Sequence, residues 1–300
     1  MKTVLCDISA LQYYRTPPWV TGIIVTPADS PNDFFPAASH RNASPASVTL
    51  SHHLCGSLAG VSPPFHILDA DGKQIRTRNI TCHRGQAPSA QDILPLGEGL
   101  YVTSPTRTLL DIARRYGDIA AAKVMCEFCG LYAIVNMTDR LESALERIPQ
   151  PEAHGYRTQL SAYYDQNGST LSFAKQEDQG ALWESCIQRN KKASNLWKRP
   201  PLCTIDELVG YASTAGGAYG IQKFRRALRL AVPGSGSPAE TIAALLMGPE
   251  RRLGQEGLPA FLMNRRVFLD EIGALSLEQR SCVLDISWPD GSKVREGCCV

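Results

Sequence analysis

No run of roughly 18 residues or more in this chain is free of charge and turn formers. Prolines and glycines stand at close intervals, so every helix or strand has to be short. Pro17-Pro18, Pro27, Pro31, Pro36 and Pro45 predict a loop over Val20–Ala46, with Phe34-Phe35 as its apolar anchor. The same punctuation excludes a membrane-crossing helix and leaves no heptad run for a long coiled coil. With 43% hydrophobic and 20% charged residues over 300 positions, the chain has the composition of a folded protein and room for two domains. Asp7 interrupts the apolar start before a signal-peptide core can form, so no secretory leader is expected.

Short strands and short helices alternate along the chain. Ser47–Leu58 predicts a short helix, and Phe65–Asp69 a strand. Asp71-Gly72 is a hairpin turn signal, and Gln74–His83 is its return strand. Leu100–Val102 adds a third strand. Ser104 followed by Pro105 places an N-cap residue before a proline at the first helical position, and Leu109, Leu110, Ile112, Ala113 and Tyr116 follow at helical spacing. Further helices are predicted over Ile119–Cys129, with Gly130 as the C′ residue, and over Asp139–Ile148. Thr204 opens another, Ile221–Ala231 is basic and amphipathic, and Ser237-Pro238 starts one that runs to Met247. Strands are expected over Phe261–Leu269 and Cys282–Trp288, with a turn at Asp290-Gly291 and a third strand from Ser292. The fold class is therefore α/β. Tyr156–Pro201 carries little pattern, and Ser161–Ser172 reads as linker or insertion.

Ten cysteines are too sparse for a disulfide scaffold in a chain of this length. Cys126 and Cys129 form the single C-x-x-C, without a second pair at zinc-ribbon distance, and on a helix they merely share a face. Buried, reduced thiols and a reducing cytoplasm are expected. His52-His53 with Cys55 lacks further ligands at usable spacing and reads as a plain core or surface pair.

Three acids in the last quarter carry the candidate chemistry. Glu240 lies in the first turn of a helix, Asp285 within a strand, and Glu296 in the next strand, eleven residues on. Carboxylates one hairpin apart can share a hard cation such as Mg²⁺, which activates water for phosphodiester attack. Each also has a plainer reading: Glu240 as the Glu of a Ser237-x-x-Glu240 capping box, Asp285 as the solvent-facing residue between Leu284 and Ile286, and Glu296 as a solvated acid.

Gly236-Ser237-Pro238-Ala239-Glu240-Thr241, then Leu284-Asp285-Ile286-Ser287-Trp288-Pro289, then a Glu eight residues past the Trp, resembles a bacterial family, the very-short-patch-repair-like endonuclease-domain proteins of the PD-(D/E)XK superfamily. The likeness runs from about Ala227 to Glu296. It implies a restriction-endonuclease-like α/β domain that cleaves DNA, with Glu240, Asp285 and Glu296 catalytic, Asp285 and Glu296 as metal ligands and Mg²⁺ as the cofactor. The family pattern continues as Glu-Tyr-Asp-Gly or Glu-Tyr-Asp-Ser and then a His-containing segment. Here Gly297-Cys298-Cys299-Val300 follow, so a shortened domain with impaired catalysis is expected.

Asp7-Ile8-Ser9-Ala10-Leu11, His83-Arg84 and Val102–Ala113 are similar to the C-terminal region of abortive-infection type IV antitoxins. That resemblance covers about residues 5–150 and implies a mixed α/β antitoxin-like domain. The winged helix that precedes this region in the antitoxins has no counterpart before Asp7, so repression is not implied. The expected organisation is 1–150 antitoxin-like, 151–230 linker and basic helical segment, and 231–300 partial endonuclease-like. Within the first part, Asp111 reads as a helix-surface residue or as a partner of Arg107 or Arg115.

Net charge is +2, too small to imply a nucleic-acid partner by itself. Yet Arg189, Lys191, Lys192, Lys198, Arg199, Lys223, Arg225, Arg226 and Arg229 face only Asp206 and Glu207 in their interval. Arg189, Lys191, Lys192, Lys223, Arg225, Arg226 and Arg229 are the candidate DNA-backbone contacts, with a solvated basic face as the plainer reading. Trp183 and Trp197 are placed to stack on bases or to pack. No phosphate-binding glycine loop and no G-x-S-x-G elbow is present. The competing function is a non-enzymatic, antitoxin-like or regulatory protein that binds DNA or a protein partner.

Overall fold

The computed structural model describes residues 3–20, 50, 54, 58–69, 76–83, 88–97, 99–147, 183–187, 193–268 and 281–288. The expected loop over Val20–Ala46 (Val20 apart), Asp71-Gly72, Ser161–Ser172, the strand from Ser292, most of Ser47–Leu58, and the His52-His53-Cys55 group lie outside the described residues. What is described is mixed α/β, with seven α-helices and mixed sheets. No described helix is long and apolar enough to cross a membrane.

The largest sheet has six strands: β1 (Thr3–Leu5), β2 (Phe65–Asp69), β3 (Arg76–Thr77), β4 (Ile80–His83), β5 (Ile93–Gly97) and β6 (Leu100–Thr103). Their order is β3-β4-β2-β1-β6-β5. β1 lies parallel to β6 and antiparallel to β2. All three residues of β1 are buried, as a central strand covered on both faces requires. The segment 74–83 was expected as one return strand. It is two, because the chain reverses at Arg78-Asn79; β4 consequently runs parallel to β2, with β3 antiparallel beyond it. β5 carries Pro95 and a register shift between Pro95 and Gly97.

The two central parallel strands each lead into a helix. β1 leads through Cys6 into α1 (Asp7–Tyr14), and β6 leads into α2 (Pro105–Tyr116). Ser104 caps α2 as expected, its hydroxyl accepting from the Arg107 N–H. Tyr14 donates its phenol to the Thr103 carbonyl at 2.7 Å, tying the end of α1 to the end of β6. α3 (Asp118–Phe128) packs on α2. One core then joins Leu5, Phe65, Ile67 and Val102 of the sheet to Leu109, Ile112, Met125 and Phe128 of these helices.

α4 spans Asp139–Arg147, α5 Ile205–Thr214, α6 Ile221–Leu230 and α7 Pro238–Met247. Thr204 and Glu207 close a reciprocal capping box at the start of α5. α5 and α6, from the stretch read as linker and basic helices, supply Leu208, Phe224, Ala227 and Leu230 to the same core as α2 and α3. The low-pattern stretch before them holds β8 (Glu184–Ile187) and β9 (Ala193–Lys198), which form a three-stranded sheet with β7 (Tyr132–Ile134) in the order β7-β9-β8. Trp183 and Trp197 pack in its core with ring centroids 6.5 Å apart and are not available to stack on bases. β10 (Leu262–Phe268) and β11 (Ser281–Ser287) pair antiparallel against α7.

Gly130 ends α3 for a reason other than the expected one. It is not in the left-handed region. A Cβ there would stand 2.5 Å from the Cys126 carbonyl oxygen and 2.7 Å from that of Ser235, and backbone oxygens cannot step aside. Gly210, inside α5, has open space around it. Gly130→Ala should therefore cost about 2 kcal/mol by overpacking, whereas Gly210→Ala should gain up to about 1 kcal/mol. Shifts of opposite sign in the urea midpoint, at unchanged slope, check the pair.

Candidate functional site

Of the expected acids, Glu240 and Asp285 approach one position on the β10–β11 hairpin. Asn264 falls between the pairs Met263–Ile286 and Arg265–Leu284, which sets it opposite Asp285. It adopts a left-handed conformation (φ 51°), and its amide donates to Glu240 Oε2 at 2.5 Å and to the Gly234 carbonyl at 2.9 Å. Glu240 Oε2 also accepts the Gly236 N–H at 2.7 Å, and Oε1 accepts the Ser237 hydroxyl at 2.9 Å. The expected cap is thus present in altered form: Ser237 accepts from the Glu240 N–H, while the Glu240 side chain reaches Gly236. Lys198 Nζ donates to the Gly236 carbonyl at 2.6 Å beside it. Asp285 is exposed, and Glu296 lies outside the described residues.

The two Glu240 oxygens carry three N–H or O–H donors, two of them on Oε2, and an ammonium lies alongside, so most of the carboxylate's acceptor capacity is taken up within the chain and it is a poor ligand for Mg²⁺. Its geometry is that of an acid locking the start of α7 to β10.

The described members of the basic set also have partners within the chain. Lys223 Nζ donates to the Arg114 carbonyl and Arg225 Nη2 to the Ala212 carbonyl, each in the last turn of a helix, where unpaired carbonyls accept cations. Arg226 pairs with Asp118 at 2.8 Å, and Arg229 grips Glu250 through two hydrogen bonds. Arg199 is fully buried in the core, so it cannot touch a DNA backbone. Arg189, Lys191 and Lys192 lie outside the described residues. Among the described cysteines, Cys6, Cys126, Cys129 and Cys203 are buried free thiols, and burial pushes Cys126 up to about 11.

A buried polar centre lies elsewhere among the described residues, where β1 gives way to α1. Asp7 is 2% exposed and sits in the left-handed region (φ 52°), rare for a non-glycine residue. Its Oδ2 is 3.6 Å from His66 Nδ1, 3.8 Å from His83 Nε2 and 2.9 Å from Arg115 Nη1. The two imidazole nitrogens are 3.0 Å apart. Backbone holds the set in place: the Cys6 N–H donates to the His66 carbonyl, and the His66 N–H to Ser9 Oγ at 2.8 Å. Burial alone would raise the Asp7 pKa. The close approach of His66 and the Arg115 charge outweigh it, and the carboxyl stays below its ordinary value. Burial pushes His83 down to about 4, so its imidazole is neutral near pH 7.

A second buried cluster adjoins this one. Asp111 was expected on the helix surface or paired with Arg107 or Arg115. It is 1% exposed and lies 3.4 Å from Arg107 Nε and 3.2 Å from Arg114 Nη2. The surface reading fails because Asp111 falls on the core-facing side of α2, and Arg115 turns to Asp7 instead. Burial raises the Asp111 pKa, opposed by the two arginines. Arg107 also approaches Asp92, which accepts from the Tyr211 hydroxyl at 3.2 Å. Burial raises the Cys6 pKa first, and the charges of Asp111 and Asp7 raise it further.

Sequence reasoning gives Asp7 and His83 as motif residues and His66 only as part of a strand. Two histidines on either side of the Asp71-Gly72 turn signal, each in a predicted strand, were the available clue. No protein-family model matches the chain, and no curated protein or solved structure matches it.

Proposed function

We propose that this chain is a non-enzymatic, antitoxin-like regulatory protein that acts by binding a protein partner. One observation carries the reading. The separate stretches on which the antitoxin resemblance rests, Asp7–Leu11, His83 and Val102–Ala113, meet at one place: Asp7 lies beside His83, and α1 packs on α2, with Tyr14 bonded to the Thr103 carbonyl. In this reading 1–150 is antitoxin-like, α5 and α6 of 151–230 share its core, and 231–300 is an endonuclease-like part whose Glu240 serves the fold.

The surface beside the centre suits a protein better than DNA. Tyr116, Ile119 and Tyr219 are exposed where α2 passes into α3 and α6 begins, and Tyr219 is 80% exposed. Gly220, next to it, packs against Arg114 and fixes that corner. Tyrosine-rich apolar corners are what protein interfaces favour. A DNA backbone needs free cations, and the described ones of α6 are engaged within the chain.

Supercoiled plasmid with Mg²⁺ or Mn²⁺ tests the reading. The purified chain should nick no faster than its Asp285→Ala variant, and DNA retention should vanish between about 50 and 200 mM salt. Nicking that Asp285→Ala abolishes would instead establish the endonuclease reading, with Glu240, Asp285 and Glu296 at its metal.

A further inference from the structure

We propose that Asp7, His66 and His83 bind one transition-metal dication of the zinc type. The three ligand atoms, Asp7 Oδ2, His66 Nδ1 and His83 Nε2, form a triangle with sides of 3.0, 3.6 and 3.8 Å. Its corners are equidistant, at about 2.0 Å, from a point in their plane, and that is the length of a Zn–N or Zn–O bond. No movement of the three atoms is needed for all of them to reach one ion. Among the described residues these three form the sole group of His, Cys, Asp or Glu side chains close enough to do so.

The chemistry of the set selects the metal. Two imidazoles and one carboxylate suit Zn²⁺ and its first-row neighbours and disfavour Mg²⁺ and Ca²⁺, which take oxygen. The remaining Asp7 oxygen, Oδ1, is buried without a hydrogen-bond partner among the described residues. A buried carboxylate oxygen left so is costly unless something else compensates the group, and a dication on its partner oxygen does.

Arg115 touches two of the three corners. Its Nη1 stands 2.9 Å from Asp7 Oδ2 and 3.0 Å from His83 Nε2, the same two atoms the metal takes. Its side chain is 39% exposed, so it can swing to solvent when an ion enters. Arg115 is thus a competitor for the site: a cation that balances Asp7 until a metal replaces it. This inference stands apart from the partner-binding reading.

The test uses the full chain, freed of metal by chelation and kept reduced, then dialysed against Zn²⁺ and, in parallel, Co²⁺. One ion per chain is expected, with weak visible Co²⁺ bands and no sulfur-to-cobalt charge transfer. His83→Gln should weaken binding at least ~10-fold while leaving the metal-free melting temperature unchanged, and Arg115→Gln should tighten it about 10-fold, a change of ~1.4 kcal/mol. Asp7→Asn provides a second ligand variant if His83→Gln loses its fold. No bound metal, sulfur charge transfer from the cysteines, equal affinity for Mg²⁺, or unchanged affinity in the folded ligand variants would each overturn the proposal. Arg115→Gln that weakens binding would do the same.

Discussion

Replacing Arg15 with alanine should destabilise the protein by about 3 kcal/mol, although Arg15 itself is partly exposed. The cost falls on its partner. Glu127 is 2% exposed, and Arg15 clasps both its oxygens, Nε to Oε1 at 2.8 Å and Nη2 to Oε2 at 2.5 Å. Without Arg15 the carboxylate keeps, among the described residues, one hydrogen bond, from the Ile134 N–H at 3.3 Å, and the nearby charge of buried Arg199. The contact also joins the end of α1 to the end of α3, across 112 residues of chain. The asymmetry is the diagnostic part. Glu127→Gln removes the charge but keeps an acceptor, so it should cost less than half as much, and adding it to Arg15→Ala should recover stability. Urea unfolding followed by the fluorescence of buried Trp183 and Trp197 measures all three variants. A loss below about 1 kcal/mol for Arg15→Ala would show that water reaches Glu127 and the pair behaves as a surface one.

Arg199→Ala should cost about 3–5 kcal/mol, while Arg199→Met should cost about 1–2 kcal/mol. Arg199 is fully buried, its guanidinium 6.0 Å from the Phe128 ring centroid and 5.8 Å from that of Trp183. It donates to the Pro200 carbonyl at 2.8 Å and the Glu127 carbonyl at 3.0 Å. Burial draws its pKa below the ordinary arginine value, and its Nε–H finds no acceptor among the described residues. The charge is therefore held at a cost, and the volume matters more. Alanine leaves a cavity between two aromatic rings and strands two carbonyls. Methionine refills the space and removes the unsatisfied donor. Equal losses for the two variants in the same urea assay would show that the hydrogen bonds dominate.

What the chain reveals in advance is what neighbouring residues decide among themselves. Ser104-Pro105, Thr204 with Glu207, and Ser237-Pro238 start helices because the cap and the N–H it satisfies are three residues apart. Phe65–Asp69 is legible as a strand because turn residues bound a dense apolar run. β1 and β7 have three residues each, too few to show a period, and they are strands only because β2, β6 and β9 supply partners. β9 escapes because Ala193–Lys198 carries polar residues, while Trp197 finds its core in Trp183 and Val135.

The site divides the same way. Glu240 is visible to a motif, but not the Asn264 amide that engages it, because that contact depends on a left-handed residue within a strand. Asp7, His66 and His83 are brought together by β4 running parallel to β2, the one feature of that sheet a hairpin signal would predict the other way round. Arg199 and Asp111 show the reverse error. Charged residues read as surface because solvation is the default, and only tertiary packing shows where burial is compensated.

The six-stranded sheet has a consequence for how the protein meets other chains. Its border strands are poor templates for a foreign strand: β3 is two residues long, and β5 lacks one backbone donor at Pro95 and breaks its hydrogen-bond rhythm there. Both are devices that block runaway strand addition. A foreign strand is thereby refused a long ladder of main-chain bonds along the described borders of this sheet. Whatever meets those borders has to be held by side chains, and contacts of that kind can be removed by a single surface substitution without unfolding anything.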